Sequence, residues 1–237
     1  MKALYLYKFL VLSVVIAGAF SCSTEQASKE YSASEMVSKE GQSDDTNKGA
    51  TIFEEFVQSY EDPERGVWQN PKLILEKFGN LEGKTVADIG AGTGYFTFKL
   101  ASEGADVIAI DIDEQFLDYI LERKQELVNL KGEVQPRLSI PDNPMLENEE
   151  VDYILIVNTY HFLGDRINYL TKLKAGLSTA GQIIIVDFKE GKLPVGPLEE
   201  FKTNILSLEN ELRSAGFTVT ETDETSLKYQ YIITAKK

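Results

Sequence analysis

Three glycines and two aspartates lie at spacings that suit the binding of a nucleoside. Asp88, Gly90, Gly92 and Gly94 follow one apolar run, and Asp111 ends the next apolar run. Glycine allows a tight turn and lets a ligand approach the backbone, and a carboxylate one strand further on can accept hydrogen bonds from ribose hydroxyls. The pattern predicts a nucleoside-binding turn, with a bare glycine turn beside an incidental acid as the alternative.

The spacing of the glycines distinguishes two classes of ligand. A dinucleotide-binding turn reads G-x-G-x-x-G, whereas residues 90–94 read G-x-G-x-G. The shorter spacing suits a ligand without a pyrophosphate. The carboxylate of Asp88 would repel phosphates but would favour a positively charged group. We therefore expect a cationic nucleoside, and an NAD-binding oxidoreductase fragment is the less favoured alternative.

A candidate proton acceptor follows the fourth apolar run. His161 is the only histidine of the chain and comes shortly after Tyr153–Val157. Histidine is the side chain most often used to remove a proton near neutral pH. We expect His161 to act as a base or to orient an acceptor, with a packing or hydrogen-bonding role as the alternative. Tyr160 is a second candidate, with a place in the core as its alternative.

The arrangement of apolar runs predicts how these residues are positioned. Near-continuous apolar runs separated by helical periodicity indicate a parallel sheet that helices cover on both faces. The last two runs are joined by a short turn and must pair antiparallel. The fold class is therefore α/β: a mostly parallel seven-stranded sheet with helices on both faces and a C-terminal antiparallel hairpin. One helix is expected to bury a single face formed by Phe116, Leu117, Ile120, Leu121 and Leu127.

Several stretches of the sequence resemble a known superfamily. ADIGAGTGYFT and AIDID resemble motifs I and II of class I S-adenosylmethionine-dependent methyltransferases. DPERGVWQNP, VDYILIVNTYHF, GQIIIVDF, LPVGP and LKYQYII are similar to an uncharacterised bacterial group of that superfamily, so that the resemblance covers residues 52–237. It implies a Rossmann-like class I methyltransferase sandwich, S-adenosylmethionine as cofactor, and methyl transfer to an acceptor.

The resemblance also implies roles for individual residues. The methionine portion of the cofactor would lie near Asp88, Gly90, Gly92 and Gly94. Asp111 would bind the ribose, Ile112 would pack on the adenine, and Asn158 would lie near the reactive methyl group. Many relatives have an acid after the third strand that binds the adenine amino group. Here the segment reads Ser-Ile-Pro-Asp (139–142), so either Asp142 or backbone groups would take that role.

Three residues before the first predicted strand occupy the region where this superfamily often places a lid. They are Arg65, Trp68 and Gln69. The resemblance implies that an aromatic side chain there shields the site from water, and ordinary helix packing is the alternative.

The N-terminal segment resembles a bacterial lipoprotein signal peptide. Lys2 and Lys8 precede or border an apolar run that ends in Ala-Phe-Ser-Cys (19–22), and the run is shorter than the roughly 20 residues of a bilayer span. The resemblance implies that residues 1–21 are removed and that Cys22 carries a lipid, although Ala19 departs from the usual motif. An uncleaved signal anchor, or a misassigned start codon upstream of a cytoplasmic enzyme, is the alternative.

Composition limits the domain organisation and the partners. Residues 22–50 are polar and predict a disordered tether, part of which could instead form a frayed helix. This leaves residues 51–237 as the folded domain. The chain has 24 basic and 38 acidic residues, a net charge of −14, which disfavours a nucleic-acid substrate. Its single cysteine excludes an intrachain disulfide and a cysteine-rich zinc site, and no metal is expected.

Two functions follow from these observations. The first is methyl transfer to a small-molecule acceptor by an enzyme anchored to a bacterial membrane, facing the periplasm or the cell surface. The second is a non-catalytic, lipid-anchored binding protein that keeps the same fold. The sequence does not predict the oligomeric state.

Overall fold

The computed structural model describes residues 45–237, with side chains from Ile52 onward. The predicted signal peptide and Cys22 lie outside the described residues. Helix α1, Asp45–Tyr60, includes residues 45–50, which the composition assigned to the tether. In the described part of the chain, no helix is long and apolar enough to cross a membrane.

In residues 45–237, seven strands form one sheet in the order β3-β2-β1-β4-β5-β7-β6. The strands are β1 Thr85–Ile89, β2 Asp106–Asp111, β3 Val134–Leu138, β4 Val151–Val157, β5 Leu177–Phe188, β6 Thr218–Asp223 and β7 Gln230–Lys236. Strands β1 to β5 pair in parallel, and β7 lies antiparallel between β5 and β6. The predicted α/β fold with a C-terminal antiparallel hairpin is confirmed.

Helices pack on both faces of this sheet. They are α1, α2 Pro63–Gln69, α3 Pro71–Glu76, α4 Thr97–Ser102, α5 Glu114–Glu126, α6 Arg166–Gly176 and α7 Ile205–Ser214, with single 3₁₀ turns at Tyr160–Phe162 and Glu199–Phe201. Asp113, Asp165 and Asn204 begin α5, α6 and α7 because each side chain accepts a hydrogen bond from a backbone amide of the first turn. Gly216, with φ 87°, follows the end of α7 as expected of a C-terminal cap.

The apolar core has one layer on each side of the sheet. Ile154, Ile156 and their neighbours face α6 and α7, whereas Leu155 and Val157 face the layer that contains α3, α4 and α5. This alternation along β4 is what a strand buried on both faces requires.

One detail of the core was predicted wrongly. Phe116, Leu117 and Ile120 of α5 are buried, but Leu121 is 44% exposed and Leu127 is 39% exposed. Leu121 follows Ile120 directly, and the rotation of about 100° per residue turns it toward solvent. Leu127 lies beyond the last residue of α5, so helical periodicity does not apply to it.

Candidate functional site

The turn after β1 brings the backbone close to two neighbouring segments. Gly90 and Gly92 have φ angles of 72° and 53°, a region that residues with a Cβ rarely adopt. A Cβ at residue 90 would lie 2.4 Å from the Thr159 side chain, and one at residue 92 would lie 3.4 Å from the ring of Tyr60. The glycines therefore let the segment after β4 and the end of α1 approach this turn.

Gly94 has a different surrounding. A Cβ there would lie 2.7 Å from the ring of Phe98 and 3.1 Å from Ile120. The space beside Gly94 is thus used for packing between α4 and α5. Only the backbone of Gly94 could contact a cofactor.

Asp111, at the end of β2, lies beside the glycine turn. Its Oδ2 accepts a hydrogen bond of 2.9 Å from the Gly92 amide, and its Oδ1 accepts one of 3.0 Å from the Asp113 amide. A carboxylate offers about four acceptor positions, so each oxygen keeps one for a further donor. The group is therefore chemically suited to two ribose hydroxyls. Ile112 follows it directly and is half-buried.

Asp88 is the second buried carboxylate of the site. It is 3% exposed, and its Oδ2 accepts a hydrogen bond of 2.7 Å from the Thr97 hydroxyl. Burial raises the pKa of Asp88 to about 6, and it raises the pKa of Asp111 to about 6 as well. The charge of Asp111 adds to the effect on Asp88. Two carboxylates that resist ionisation in this way favour a positively charged ligand.

The end of α1 covers the glycine turn. The ring of Tyr60 lies against Gly92 and stacks on Phe116 with a centroid separation of 5.8 Å. Glu61 accepts hydrogen bonds from the Thr93 hydroxyl at 2.6 Å and from Arg123 at 2.7 Å. Tyr60 and Glu61 were not among the predicted site residues, although the spacing of Phe56 and Tyr60 along one helical face indicated this contact.

Helix α2 completes this cover, and its residues include the three predicted for a lid. The Arg65 guanidinium lies over the Tyr95 ring at 4.1 Å, and it donates hydrogen bonds to the carbonyl of Tyr60 at 2.9 Å and to Gln69 at 2.6 Å. Trp68 contacts Phe188 at the end of β5, with ring centroids 5.8 Å apart. We call α2, together with Tyr60 and Glu61, the lid.

Three side-chain amides join the lid to the sheet. Gln69 is fully buried and donates a 3.0 Å hydrogen bond to Gln230 of β7. Both glutamine amides also donate to Oδ1 of Asn158, which follows β4 with a φ of 58°. Since Oδ1 is occupied in this way, the NH₂ group of Asn158 is the part of its side chain left for a ligand. Gln230 was not predicted as part of the site.

His161 lies in the 3₁₀ turn after β4 and contacts an acid that was not predicted from the sequence. Its Nδ1 is 3.1 Å and 3.2 Å from the two carboxylate oxygens of Asp187, at the end of β5. Both side chains are almost fully buried, with 2% and 0% exposed. Asp187 lies near the end of a buried apolar strand, as Asp111 does. This position in the sequence could have identified Asp187 as a site residue.

Tyr160, the other candidate base, is committed elsewhere. Its hydroxyl donates a 2.5 Å hydrogen bond to Glu211 of α7, and burial raises its pKa. A buried phenol that already donates to a carboxylate is poorly suited to accept a proton. The alternative prediction, a place for Tyr160 in the core, therefore fits better.

The segment after β3 closes the site on the side of β2. The amide of Ser139 donates to the carbonyl of Asp111 at 2.8 Å, which places residues 139–142 next to the predicted ribose site. Leu138 and Ile140 are each about half exposed there. Asp142 is exposed at the tip of the turn, and its carbonyl accepts a hydrogen bond from Lys172. A contact of Asp142 with adenine stays a prediction.

Comparisons with known proteins agree with this geometry. A family model described as a methyltransferase domain matches residues 80–236. A solved S-adenosylmethionine-dependent methyltransferase from Aquifex aeolicus has 29% sequence identity and a TM-score of 0.70, covering 76% of this chain and 96% of that one.

Curated relatives are similar over shorter stretches. A tRNA U34 carboxymethyltransferase of Campylobacter hominis is 27% identical over 133 residues, which are 55% of this chain and 45% of that protein. A magnesium-protoporphyrin O-methyltransferase of Rhodobacter capsulatus is 34% identical over 96 residues, 40% of this chain and 41% of that protein. The chain thus spans less than half the length of these relatives.

Proposed function

This chain belongs to a family of methyltransferase domains, and we propose that it transfers the methyl group of S-adenosylmethionine to a small-molecule acceptor. The chain is an S-adenosylmethionine-dependent methyltransferase with a Rossmann-like fold. The observation that carries the assignment of the site is the pair of buried carboxylates, Asp88 and Asp111, on either side of the glycine turn.

Residues at the carboxyl-terminal edge of the parallel strands suit the individual chemical groups of the cofactor. Asp111 would accept the ribose hydroxyls, Ile112 would pack on the adenine, and Asn158 would lie near the methyl group. The backbone of the glycine turn and Asp88 would surround the methionine portion, where the ammonium and sulfonium charges offset the buried carboxylates. The Arg65 guanidinium lies on the lid above this turn and would attract the methionine carboxylate.

The cofactor supplies a methyl group on a positively charged sulfur, which is a good leaving group. The chain then has to align the acceptor, exclude water and, for some acceptors, take a proton. The lid contacts the turn after β1 and the ends of β4, β5 and β7, so it lies where it can exclude water from the transfer.

Charge supports a small molecule over a nucleic acid as acceptor. The net charge of −14 repels a phosphate backbone. The lid also covers the carboxyl end of β5, where Trp68 packs against Phe188.

Two measurements on the full chain test this proposal. Calorimetric titration should give binding of S-adenosylmethionine and S-adenosylhomocysteine, and no comparable binding of NAD. Radioactive S-adenosylmethionine should then transfer label to the small-molecule fraction of a bacterial extract. Label that accumulates in the RNA fraction instead would contradict the small-molecule acceptor, whereas failure to bind either sulfur nucleoside would contradict the cofactor site.

We also propose that Cys22 attaches the chain to a membrane through a lipid. The support is the basic start, the short apolar run and the position of the only cysteine in the chain. Cells grown with a radioactive fatty acid should label the protein, and Cys22→Ser should abolish the label. A protein that remains unlabelled and fractionates with the soluble proteins would refute the anchor.

A further inference from the structure

We propose that the acceptor atom is a hydroxyl oxygen, and that His161, oriented by Asp187, removes its proton. The proposal rests on the methyl transfer proposed above and adds the chemical class of the acceptor. It starts from the contact between two nearly fully buried side chains, one in the 3₁₀ turn after β4 and one near the end of β5.

The contact fixes which ring nitrogen of His161 carries the proton. An ionised carboxylate can only accept hydrogen bonds, so Nδ1 donates to Asp187. In the neutral ring Nε2 then has a free lone pair. Within the described residues no hydrogen bond to Nε2 is observed, so this lone pair is not already engaged.

Asp187 is itself held in a fixed position. The backbone amide of Phe188 donates to its Oδ1 at 2.8 Å, and Asp187 is paired in register with Tyr231 of β7. Tyr231 donates its hydroxyl to the carbonyl of Thr203 at 3.0 Å, so it is not a competing donor to the carboxylate. Asp187 can therefore stabilise the imidazolium that forms when His161 accepts a proton.

Other ionisable groups surround this pair, and each is already engaged. Tyr160 donates to Glu211, and Arg166 lies 3.7 Å from the same Glu211 while it donates to the carbonyl of His161. Glu190, which follows Phe188 by two residues, accepts a hydrogen bond from Asn204. Among these groups near the ends of β4 and β5, His161 is thus the best-suited base.

A buried base is informative because few acceptors need one. A carboxylate is already ionised near neutral pH and a thiol ionises readily, whereas an alcohol or phenol must lose its proton as it reacts. A carboxylate acceptor would also call for an unpaired cation nearby. Of the lysines of the loop after β5, Lys189 and Lys202 instead donate to the carbonyls of Leu227 and Gly191, and Lys192 is exposed to solvent. A neutral hydroxyl fits this environment best.

The proposed step balances as follows. The acceptor oxygen forms a bond to the methyl carbon while the carbon–sulfur bond breaks and its electron pair stays on sulfur. The hydroxyl proton moves to Nε2 of His161, and the positive charge that leaves sulfur appears on the imidazolium beside Asp187.

The test uses acceptors that differ only in the reacting atom. The full chain is incubated with methyl-labelled S-adenosylmethionine and with phenol, catechol, benzyl alcohol, thiophenol or benzoate. Label should reach at least one hydroxyl compound. His161→Gln and Asp187→Asn should lower kcat for that compound by about 100-fold or more, with binding of S-adenosylmethionine unchanged within about twofold. Glu221→Gln, on the exposed part of β6, serves as the control.

A second readout reports the orientation of His161 directly. Because His161 is the only histidine, ¹⁵N-histidine labelling gives the signals of one ring. The native protein should show the neutral ring protonated on Nδ1, and Asp187→Asn should change that preference while the other signals of the folded protein persist.

The outcomes separate this proposal from the cofactor assignment. Transfer only to thiophenol or benzoate, or no transfer to any hydroxyl probe by a protein that binds S-adenosylmethionine, overturns the hydroxyl acceptor. So does an unchanged kcat in both variants. Absence of S-adenosylmethionine binding overturns the proposed function itself.

Discussion

The amide of Gly92 donates a hydrogen bond of 2.9 Å to Oδ2 of Asp111, and this bond ties the turn after β1 to the end of β2. The residue expected to hold the ribose therefore also fixes the turn expected to surround the methionine portion. A substitution of Asp111 should therefore affect both the ribose site and the turn that surrounds the methionine portion.

Replacement of Asp111 is expected to weaken cofactor binding strongly. Asp111→Asn keeps the size of the side chain but removes a charged acceptor, and hydrogen bonds to charged groups contribute about 1.5–3 kcal/mol each. We expect the Kd for S-adenosylmethionine to rise roughly 10-fold to 100-fold by calorimetry. Asp106→Asn, at the exposed start of the same strand, is the matched control and should bind normally. Equal affinities in the two variants would remove Asp111 from the site.

Cofactor affinity should fall as the solution becomes acidic. Asp88 and Asp111 both have a pKa raised by burial to about 6, and the protonated forms no longer attract a cation. At pH 5 each carboxylate is roughly nine-tenths protonated, so affinity should be about tenfold lower per carboxylate than at pH 7.5. Titrations across this range measure the change. A flat profile between pH 5 and 7.5 would show that neither charge contributes to binding.

The stability of the ligand-free protein should change in the opposite direction. A carboxylate whose pKa is raised in the folded state makes the fold bind more protons than the unfolded chain between about pH 4 and 6. Stability therefore falls as pH rises through this window, and the protein should be more stable at pH 5 than at pH 7. The difference is at most about 3 kcal/mol for the pair.

Thermal unfolding measures this difference. Acids with a lowered pKa, such as Glu150 beside Arg137, oppose it only below the unfolded value of 4.5, so the comparison stays above pH 5. Tm should be several degrees higher at pH 5 than at pH 7, and Asp88→Asn should reduce the difference. A lower Tm at pH 5 in the native protein would contradict the assigned shifts.

The strand order and the cofactor turn follow from local sequence because they depend on short-range rules. Apolar strands alternate with helices, and an acid or a glycine ends each of the first strands, so β1, β2 and their acids could be placed from residues 85–111 alone. The contact of His161 with Asp187 joins residues 26 positions apart, one in the 3₁₀ turn after β4 and the other near the end of β5. Both residues lie at or just beyond the carboxyl ends of neighbouring strands, so the contact could have been inferred from the parallel pairing of β4 and β5.

Contacts of the lid could not be derived in that way. Gln69 meets Gln230 across 161 positions of sequence, and no periodicity specifies such a pair. The space beside Gly94 is likewise decided by how α4 packs on α5. Motif spacing identifies the glycine but does not say whether its missing Cβ makes room for a ligand or for Phe98.

Gly92 and Gly94 should therefore respond differently to replacement by alanine. Gly94→Ala places a Cβ 2.7 Å from Phe98 in a packed region, and overpacking costs about 1–3 kcal/mol in addition to the strain of a positive φ. Gly92→Ala places a Cβ 3.4 Å from Tyr60, an ordinary contact, beside Asp111. We expect Gly94→Ala to lower Tm more, and Gly92→Ala to lower S-adenosylmethionine affinity more. The reverse order would contradict the two environments described here.

Removal of the Gln69 amide should loosen the lid, and the chain contains its own reporter of that change. Trp68 is the only tryptophan and lies beside Gln69, against Phe188. Gln69→Leu removes one hydrogen-bond partner from Arg65 and one from Gln230, and the loss of a buried partner costs about 1–3 kcal/mol locally. Emission from Trp68 should shift to longer wavelength as the ring becomes hydrated, and amides of α2 should exchange hydrogen faster. Gln58→Leu, at an exposed position of α1, is the control. Unchanged emission and exchange in Gln69→Leu would mean that Trp68 and Arg65 hold the lid without the amide cluster, because their contacts with Phe188 and Tyr95 remain in that variant.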